Sequence, residues 1–113
     1  MRTRFDKITG IASGLLSYCH HYGASEFHLD IMEESDYMTL VISASPETIS
    51  EKELEHLRNC LGAVRQRDIE QDYWELIGES ESSTELTLIG MLCDDATVEY
   101  DGSLLSITLI RHD

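Results

Sequence analysis

A chain of 113 residues is large enough for one hydrophobic core and too small for two, so we expect a single domain over residues 1–113. Its 22 acidic and eight basic residues give a formal charge of −14, which disfavours nucleic acid as a partner because most of the surface would repel phosphates. The chain lacks an apolar run of membrane-spanning length and its start, MRTRFDKITG, lacks a signal-peptide core, so we expect no membrane association and a cytoplasmic location.

The first half of the chain predicts a helix followed by a β-hairpin. Apolar residues recur with helical spacing over residues 5–22, and Gly23 follows as a stop signal. Residues 26–33 alternate between apolar and polar, and residues 37–44 are rich in β-forming residues. Because residues 34–36 are polar, we expect the two strands to pair through a tight turn.

Helices are predicted for much of the second half. Ser50 and Glu53 fit a capping box, and the helical stripe behind them continues to residue 64. A second helix is expected over residues 69–77, before the small and acidic residues 78–83. Residues 86–92 favour a short buried helix, although their threonines and β-branched residues leave a strand open.

The chain ends in a second predicted hairpin. ATVEY (96–100) and LLSITLI (104–110) are strand-like and flank Asp101-Gly102, a tight-turn signal. The last strand is apolar enough to be central in a sheet. The predicted order is helix, strand, strand, helix, helix, helix, strand, strand. This order is typical of a two-layer α+β sandwich with a mixed, mostly antiparallel sheet.

Three stretches in this order match a known pattern. GLLSYCHHYG (14–23), LVISASPETIS (40–50) and residues 83–110 are similar to three consecutive motifs of one family. These are a nucleotide-binding helix, a strand leading into an adenine-binding loop, and a glycine-containing helix followed by two strands. The chain therefore resembles the histidine-kinase-like ATPase (GHKL, Bergerat fold) superfamily, which includes histidine kinase ATP-binding domains and serine-kinase anti-sigma factors.

The resemblance implies a degenerate nucleotide site. The positions that match the family's ligand-binding residues are Gly14, Tyr18, Ser43, Ser45, Glu47, Glu85 and Thr87. Glycine has no side chain and a neutral phenol is a poor Mg²⁺ ligand, so the first helix cannot hold the metal. Glu47 would repel phosphates, and Glu85 and Thr87 replace glycines that cradle them. We therefore expect no catalytic residue, no cofactor and no metal.

These departures predict a non-catalytic regulatory or protein-interaction domain in bacterial signalling, whose partner is another protein or a second copy of the chain. Two alternatives stay open. One is a divergent ATP-binding domain of the serine or histidine kinase type that uses ATP and Mg²⁺. The other is a sensor that accepts a small ligand in the emptied cleft.

Cysteines and histidines suggest a competing site. His20 and His21 point about 100° apart on a helix and cannot bind one ion together. Cys19 lies in the apolar stripe, so we expect a buried thiol and no Cys-His nucleophile. The odd number and wide spacing of the cysteines predict reduced thiols, and a zinc site assembled from distant residues stays an alternative. Its candidate ligands are His28, Cys60 and Cys93.

Two further features have a simple structural interpretation. The adjacent carboxylates Glu33-Glu34 and Asp94-Asp95 are expected in solvated turns, because neighbouring side chains diverge. Trp74 is the only tryptophan and either packs in the core or anchors a partner. We expect core packing.

Overall fold

The computed structural model describes residues 3–45, 49–70, 74 and 82–112 and has an α+β fold. Its elements in chain order are α1 (Arg4–His21), β1 (Phe27–Glu33), β2 (Tyr37–Ala44), α2 (Glu51–Leu61), a 3₁₀ turn (Arg67–Ile69), α3 (Ser82–Met91), β3 (Asp95–Tyr100) and β4 (Leu105–His112). The predicted class and order are confirmed, and the stretch that was open between helix and strand is helical. Most of the helix expected over residues 69–77 lies outside the described residues.

The four strands form one sheet in the order β1-β2-β4-β3, and all three pairings are antiparallel. The mostly antiparallel pairing was predicted, but the described strands include no parallel pair and so do not form a mixed sheet. β4 is central, as its apolar sequence predicted. In β2 and β4 alternate residues are buried, and the two buried sets pair across the strands, as in Leu40 opposite Leu109 and Ile42 opposite Ile107. One face of the sheet therefore supplies half of the hydrophobic core.

The helices cover that face. α1 packs on β2 and α3, whereas α2 packs on α3 and β3. β1 is an edge strand, and most of its residues are exposed. None of the described helices is both long enough and apolar enough to cross a membrane.

A capping box begins α1 and a glycine ends it. The Thr3 hydroxyl accepts a hydrogen bond from the Asp6 amide at 3.1 Å, and the Asp6 carboxylate accepts one from the Thr3 amide at 3.1 Å. This reciprocal capping box satisfies two amides that the first turn leaves unpaired. At the other end Gly23 adopts a φ of +88°, which favours glycine and terminates the helix. The buried stripe between these ends comprises Ile8, Ile11, Ala12, Leu15, Tyr18 and Cys19.

The predicted cap and turn signals of the second half are also present. The Ser50 hydroxyl accepts a hydrogen bond from the Glu53 amide at 3.1 Å and caps α2. In the β3–β4 turn the Asp101 carboxylate accepts hydrogen bonds from the amides of Ser103 at 2.9 Å and Leu104 at 2.7 Å. Gly102 follows with a φ of +101°, a conformation that a side chain would strain.

α2 and α3 approach so closely that one glycine is required between them. A Cβ atom added at Gly90 of α3 would lie far inside the contact distance of the Cys60 carbonyl oxygen and 3.0 Å from Leu61 Cα. Both neighbours are backbone atoms and cannot rotate away. The contact therefore depends on the missing side chain.

Gly90→Ala is expected to lower the free energy of unfolding by about 1–3 kcal/mol, because α2 and α3 must move apart. Gly10→Ala is the matched control, since a Cβ at Gly10 in α1 meets nothing within 4 Å. That substitution should raise stability by about 0.5–1 kcal/mol, as alanine is the better helix former. Denaturant unfolding followed by circular dichroism measures both variants, and equal stability of Gly90→Ala and the unchanged protein would contradict the packing described.

Candidate functional site

Two of the predicted site positions, Gly14 and Glu85, meet where α1 packs against α3. A Cβ atom at Gly14 would lie 3.1 Å from Ile89 Cδ1 and 3.2 Å from a carboxylate oxygen of Glu85. These distances correspond to direct contact between the two helices. No space for a ligand remains between α1 and α3 at this level.

Tyr18 lies one turn further along α1 and is 6% exposed. Its hydroxyl donates a hydrogen bond to the Glu53 carboxylate at 3.5 Å, and its ring centroid is 5.0 Å from that of Tyr22. Burial raises the pKa of the Tyr18 phenol well above its usual value, and Tyr22 and Glu53 raise this pKa further. The phenol is therefore neutral at physiological pH and packs between α1 and α2.

We name the region around Gly14, Tyr18, Glu53 and Glu85 the α1 groove, and Ser43 lies away from it. Ser43 alternates with Ile42 and Ala44, which are buried under the helices, so it lies on the opposite face of the sheet. There its hydroxyl is 3.0 Å from that of Ser106. Ser45 is exposed just after β2, Thr87 is half-buried on α3, and Glu47 lies outside the described residues.

Two of the three cysteines are buried thiols. Cys19 is 1% exposed and Cys93 is 3% exposed, and all three cysteines are free. Burial raises the pKa of Cys19 to about 11 and that of Cys93 to about 12, so both stay protonated at neutral pH. The half-buried Cys60 contacts the His56 ring nitrogen at 3.7 Å. Among the described residues no group of three or more histidine, cysteine or acidic side chains is arranged to hold a metal ion.

A second region, which the sequence analysis missed, lies near the opposite end of α1. A cavity of about 460 Å³ opens there, and we name it the basic cleft. Its lining residues are Arg4, Lys7, Met38, Arg65, Arg67, Glu70 and Arg111. Five of the eight basic residues of the chain therefore line one cavity in a protein of charge −14.

Arg111 is the buried residue at the base of the cleft. It is 7% exposed, because it follows Leu109 in the helix-facing register of β4. Its guanidinium makes a bidentate ion pair with Glu70 at 3.1 and 3.0 Å and donates to the Leu92 carbonyl. The Arg111 Cζ atom is also 5.1 Å from the ring centroid of Trp74, which is 7% exposed. The expected core packing of Trp74 is confirmed.

Arg65 extends this pairing to the turn before β3. Its Nε donates to Glu70 at 2.7 Å, and its Nη1 donates to Asp94 at 2.6 Å and to the His112 carbonyl at 2.6 Å. Asp94 also accepts a hydrogen bond from the His112 amide and forms an ion pair with Arg67 at 3.4 Å. Asp94 lies at a bend, as expected, but its carboxylate is paired and not merely solvated. Glu33, Glu34 and Asp95 are exposed, as predicted, but Glu33 ends β1 and Asp95 begins β3, so these two residues lie in strands and not in turns.

The carboxylates of this network are held in the charged form. Burial alone would raise the pKa of Glu70, but hydrogen bonds and charge from Arg111 and Arg65 outweigh burial and lower it below its usual value. Burial also raises the pKa of Asp94, but the hydrogen bond from the His112 amide and the charge of Arg65 outweigh burial and lower this pKa below its usual value. The arginines are therefore fixed in position by charged partners at neutral pH.

No protein-family model matches the chain, and no curated protein matches it significantly. The geometry of the α1 groove and of the basic cleft therefore decides which functions the protein supports.

Glu70→Gln is expected to lower the free energy of unfolding by about 1–3 kcal/mol at pH 7, because two arginines lose a charged acceptor. Since the folded-state pKa of Glu70 is lowered, its stabilisation is present above the unfolded pKa of about 4.3 and is lost as the pH falls through the folded value. Unfolding at pH 7, 5, 4 and 3 should therefore show a steeper acid loss for the unchanged protein than for Glu70→Gln. Glu55→Gln, at an exposed position of α2, is the control and should retain the steep loss, whereas parallel curves for all three proteins would refute this role.

Proposed function

We propose that the chain is a non-catalytic protein-interaction domain of bacterial signalling in which the groove beside α1 holds no nucleotide. The observation that carries this proposal is the burial of Tyr18, which is 6% exposed and whose hydroxyl contacts Glu53. By the resemblance, Tyr18 corresponds to the residue that binds Mg²⁺ in that family, and its burial supports the loss of the metal site. The three free cysteines support a reducing compartment, the cytoplasm.

The charge of Glu53 beside α1 also opposes the binding of a nucleotide. The Glu53 carboxylate lies against the Tyr18 hydroxyl at 3.5 Å, so a triphosphate beside α1 would meet a negative charge. Two like charges about 4 Å apart repel by about 4 kcal/mol near a protein surface. A neutral phenol and a carboxylate therefore oppose the binding that a kinase-type ATPase requires.

The edge strand β1 supplies the interaction surface of the proposal. Phe27, Leu29 and Met32 are 37%, 44% and 56% exposed, and one side of the β1 backbone has no neighbouring strand among those described. Such an edge can accept an additional strand from a partner. Phe27 and Leu29 lie on one face of β1 and Asp30 lies on the other, and Glu33 is exposed at the end of the strand. The complementary partner is therefore an extended segment that alternates basic and apolar residues.

MgATP is expected not to bind the α1 groove. The titration uses the double variant Lys7→Gln/Arg67→Gln, so that the positive charge of the basic cleft contributes less to the measured heat. Isothermal titration calorimetry should show no saturable heat up to about 1 mM MgATP, the weak end of specific affinity. A micromolar dissociation constant in this variant would instead support the divergent ATP-binding alternative.

Strand addition at β1 is tested with a synthetic peptide that alternates lysine and valine. We expect amide shift changes in NMR spectra to concentrate in residues 27–33 and to saturate, because the peptide pairs with the free edge. Charge reversal by Asp30→Lys/Glu33→Lys should weaken binding about tenfold or more. Glu51→Lys/Glu55→Lys, which changes the net charge equally at exposed positions of α2, should retain most of the affinity.

Three outcomes decide this test. Shift changes centred on β3, or equal weakening by both double variants, would reject the β1 surface. A concentration-dependent dimer whose own shifts map to β1 would identify a second copy of the chain as the partner and would reject the basic segment.

A further inference from the structure

The basic cleft concentrates positive charge in an acidic protein. Five basic side chains line it, and Glu70 is the one carboxylate among its described lining residues. Asp94 pairs with Arg65 and Arg67 beside the cleft, so the described side chains there carry five positive and two negative charges. The sign of the local charge is therefore opposite to that of the molecule, which attracts and retains an anion at this position.

Three of the arginines are held in place before any ligand arrives. Arg65 and Arg111 pair with Glu70 and donate to backbone carbonyls, and both side chains are less than a tenth exposed. Arg4 Nη2 donates to the carbonyl oxygens of Glu34 at 2.7 Å and Tyr37 at 3.1 Å. Fixed guanidinium groups bind an anion without first losing side-chain freedom.

Lys7 and Arg67 supply the adaptable donors. The Lys7 ammonium lies 5.8 Å from the Trp74 ring centroid, and no described carboxylate forms an ion pair with it. The Arg67 side chain is 52% exposed and reaches Asp94 only at 3.4 Å. Charged donors in this state form strong hydrogen bonds to phosphate or carboxylate oxygens.

The size of the cleft and the surrounding charge select the class of ligand. A cavity of about 460 Å³ suits a small molecule. A long polyanion that entered the cleft would also cross the acidic surface around it and be repelled. We infer that the basic cleft, through Lys7, Arg67 and the fixed guanidinium groups, binds a small anion with two or more negative charges carried by phosphate or carboxylate groups.

The test uses the fluorescence of Trp74, the only tryptophan of the chain, because two cations of the cleft contact its ring. Inorganic pyrophosphate and citrate are titrated separately, and calorimetry confirms a single site. We expect a saturable response to at least one of them, with a dissociation constant below about 1 mM, which weakens as salt is added. A response to pyrophosphate alone assigns the site to phosphates, and one to citrate alone assigns it to polycarboxylates.

Two variants of the chain make the result specific. Lys7→Gln/Arg67→Gln should weaken binding about tenfold or more, since two charge-assisted hydrogen bonds are lost. Lys52→Gln removes a positive charge from the exposed first turn of α2 and should alter the affinity less than about twofold. Circular dichroism verifies that both variants fold. No saturable response to either anion, or equal weakening by both variants, would overturn the inference.

This inference does not depend on the proposed interaction function. The nucleotide titration is made in the Lys7→Gln/Arg67→Gln variant, and the peptide titration reports on β1, so each can fail while the anion site stands. If neither anion binds the basic cleft, the proposals for the α1 groove and the β1 surface still stand.

Discussion

The packing of α1 between the sheet and α3 is the constraint on which both functional regions depend. Ile8, Ile11 and Leu15 are fully buried and fix the helix over β2, and Gly14 lets it contact α3 directly. The C-terminal half of α1 places Tyr18 beside α2, where its hydroxyl contacts Glu53. The N-terminal half places Arg4 and Lys7 at the basic cleft, roughly 16–21 Å from Tyr18 along the helix axis. Both proposals, the absence of a nucleotide beside α1 and the anion site in the basic cleft, therefore depend on the position of one helix.

The ion network at the cleft illustrates how an acidic protein keeps arginines buried. A guanidinium without a partner would be strongly destabilising at the 7% exposure of Arg111, and the bidentate pair with Glu70 removes that penalty. Glu70 also forms an ion pair with Arg65, and Arg65 forms one with Asp94. These ion pairs connect the segment after α2, the residues after α3 and the end of β4. Such a network contributes more to the fixed position of its members than to net stability. Fixed positions are what recognition of an anion requires.

Most of the fold was predictable because its signals are local. The apolar spacing of α1, the Ser50 cap and the Asp101-Gly102 turn each act within a few residues, and the structure has all three. The site was harder to predict. Ser43 was matched to an adenine-binding residue, although the alternation of β2 places it on the other face of the sheet. The cleft assembles from four separate segments, so spacing could not reveal it. One local signal was present, since Arg111 continues the buried alternation of Leu105, Ile107 and Leu109.

The most direct measurement is a crystal structure of the protein grown with Mg²⁺ and a non-hydrolysable ATP analogue. The account predicts that Tyr18 keeps its buried position against Glu53, that Gly14 stays in contact with α3, and that any triphosphate density lies among Lys7, Arg67 and Arg111. Density for the nucleotide between α1 and α3, with Tyr18 displaced and a metal ion beside α1, would contradict the account.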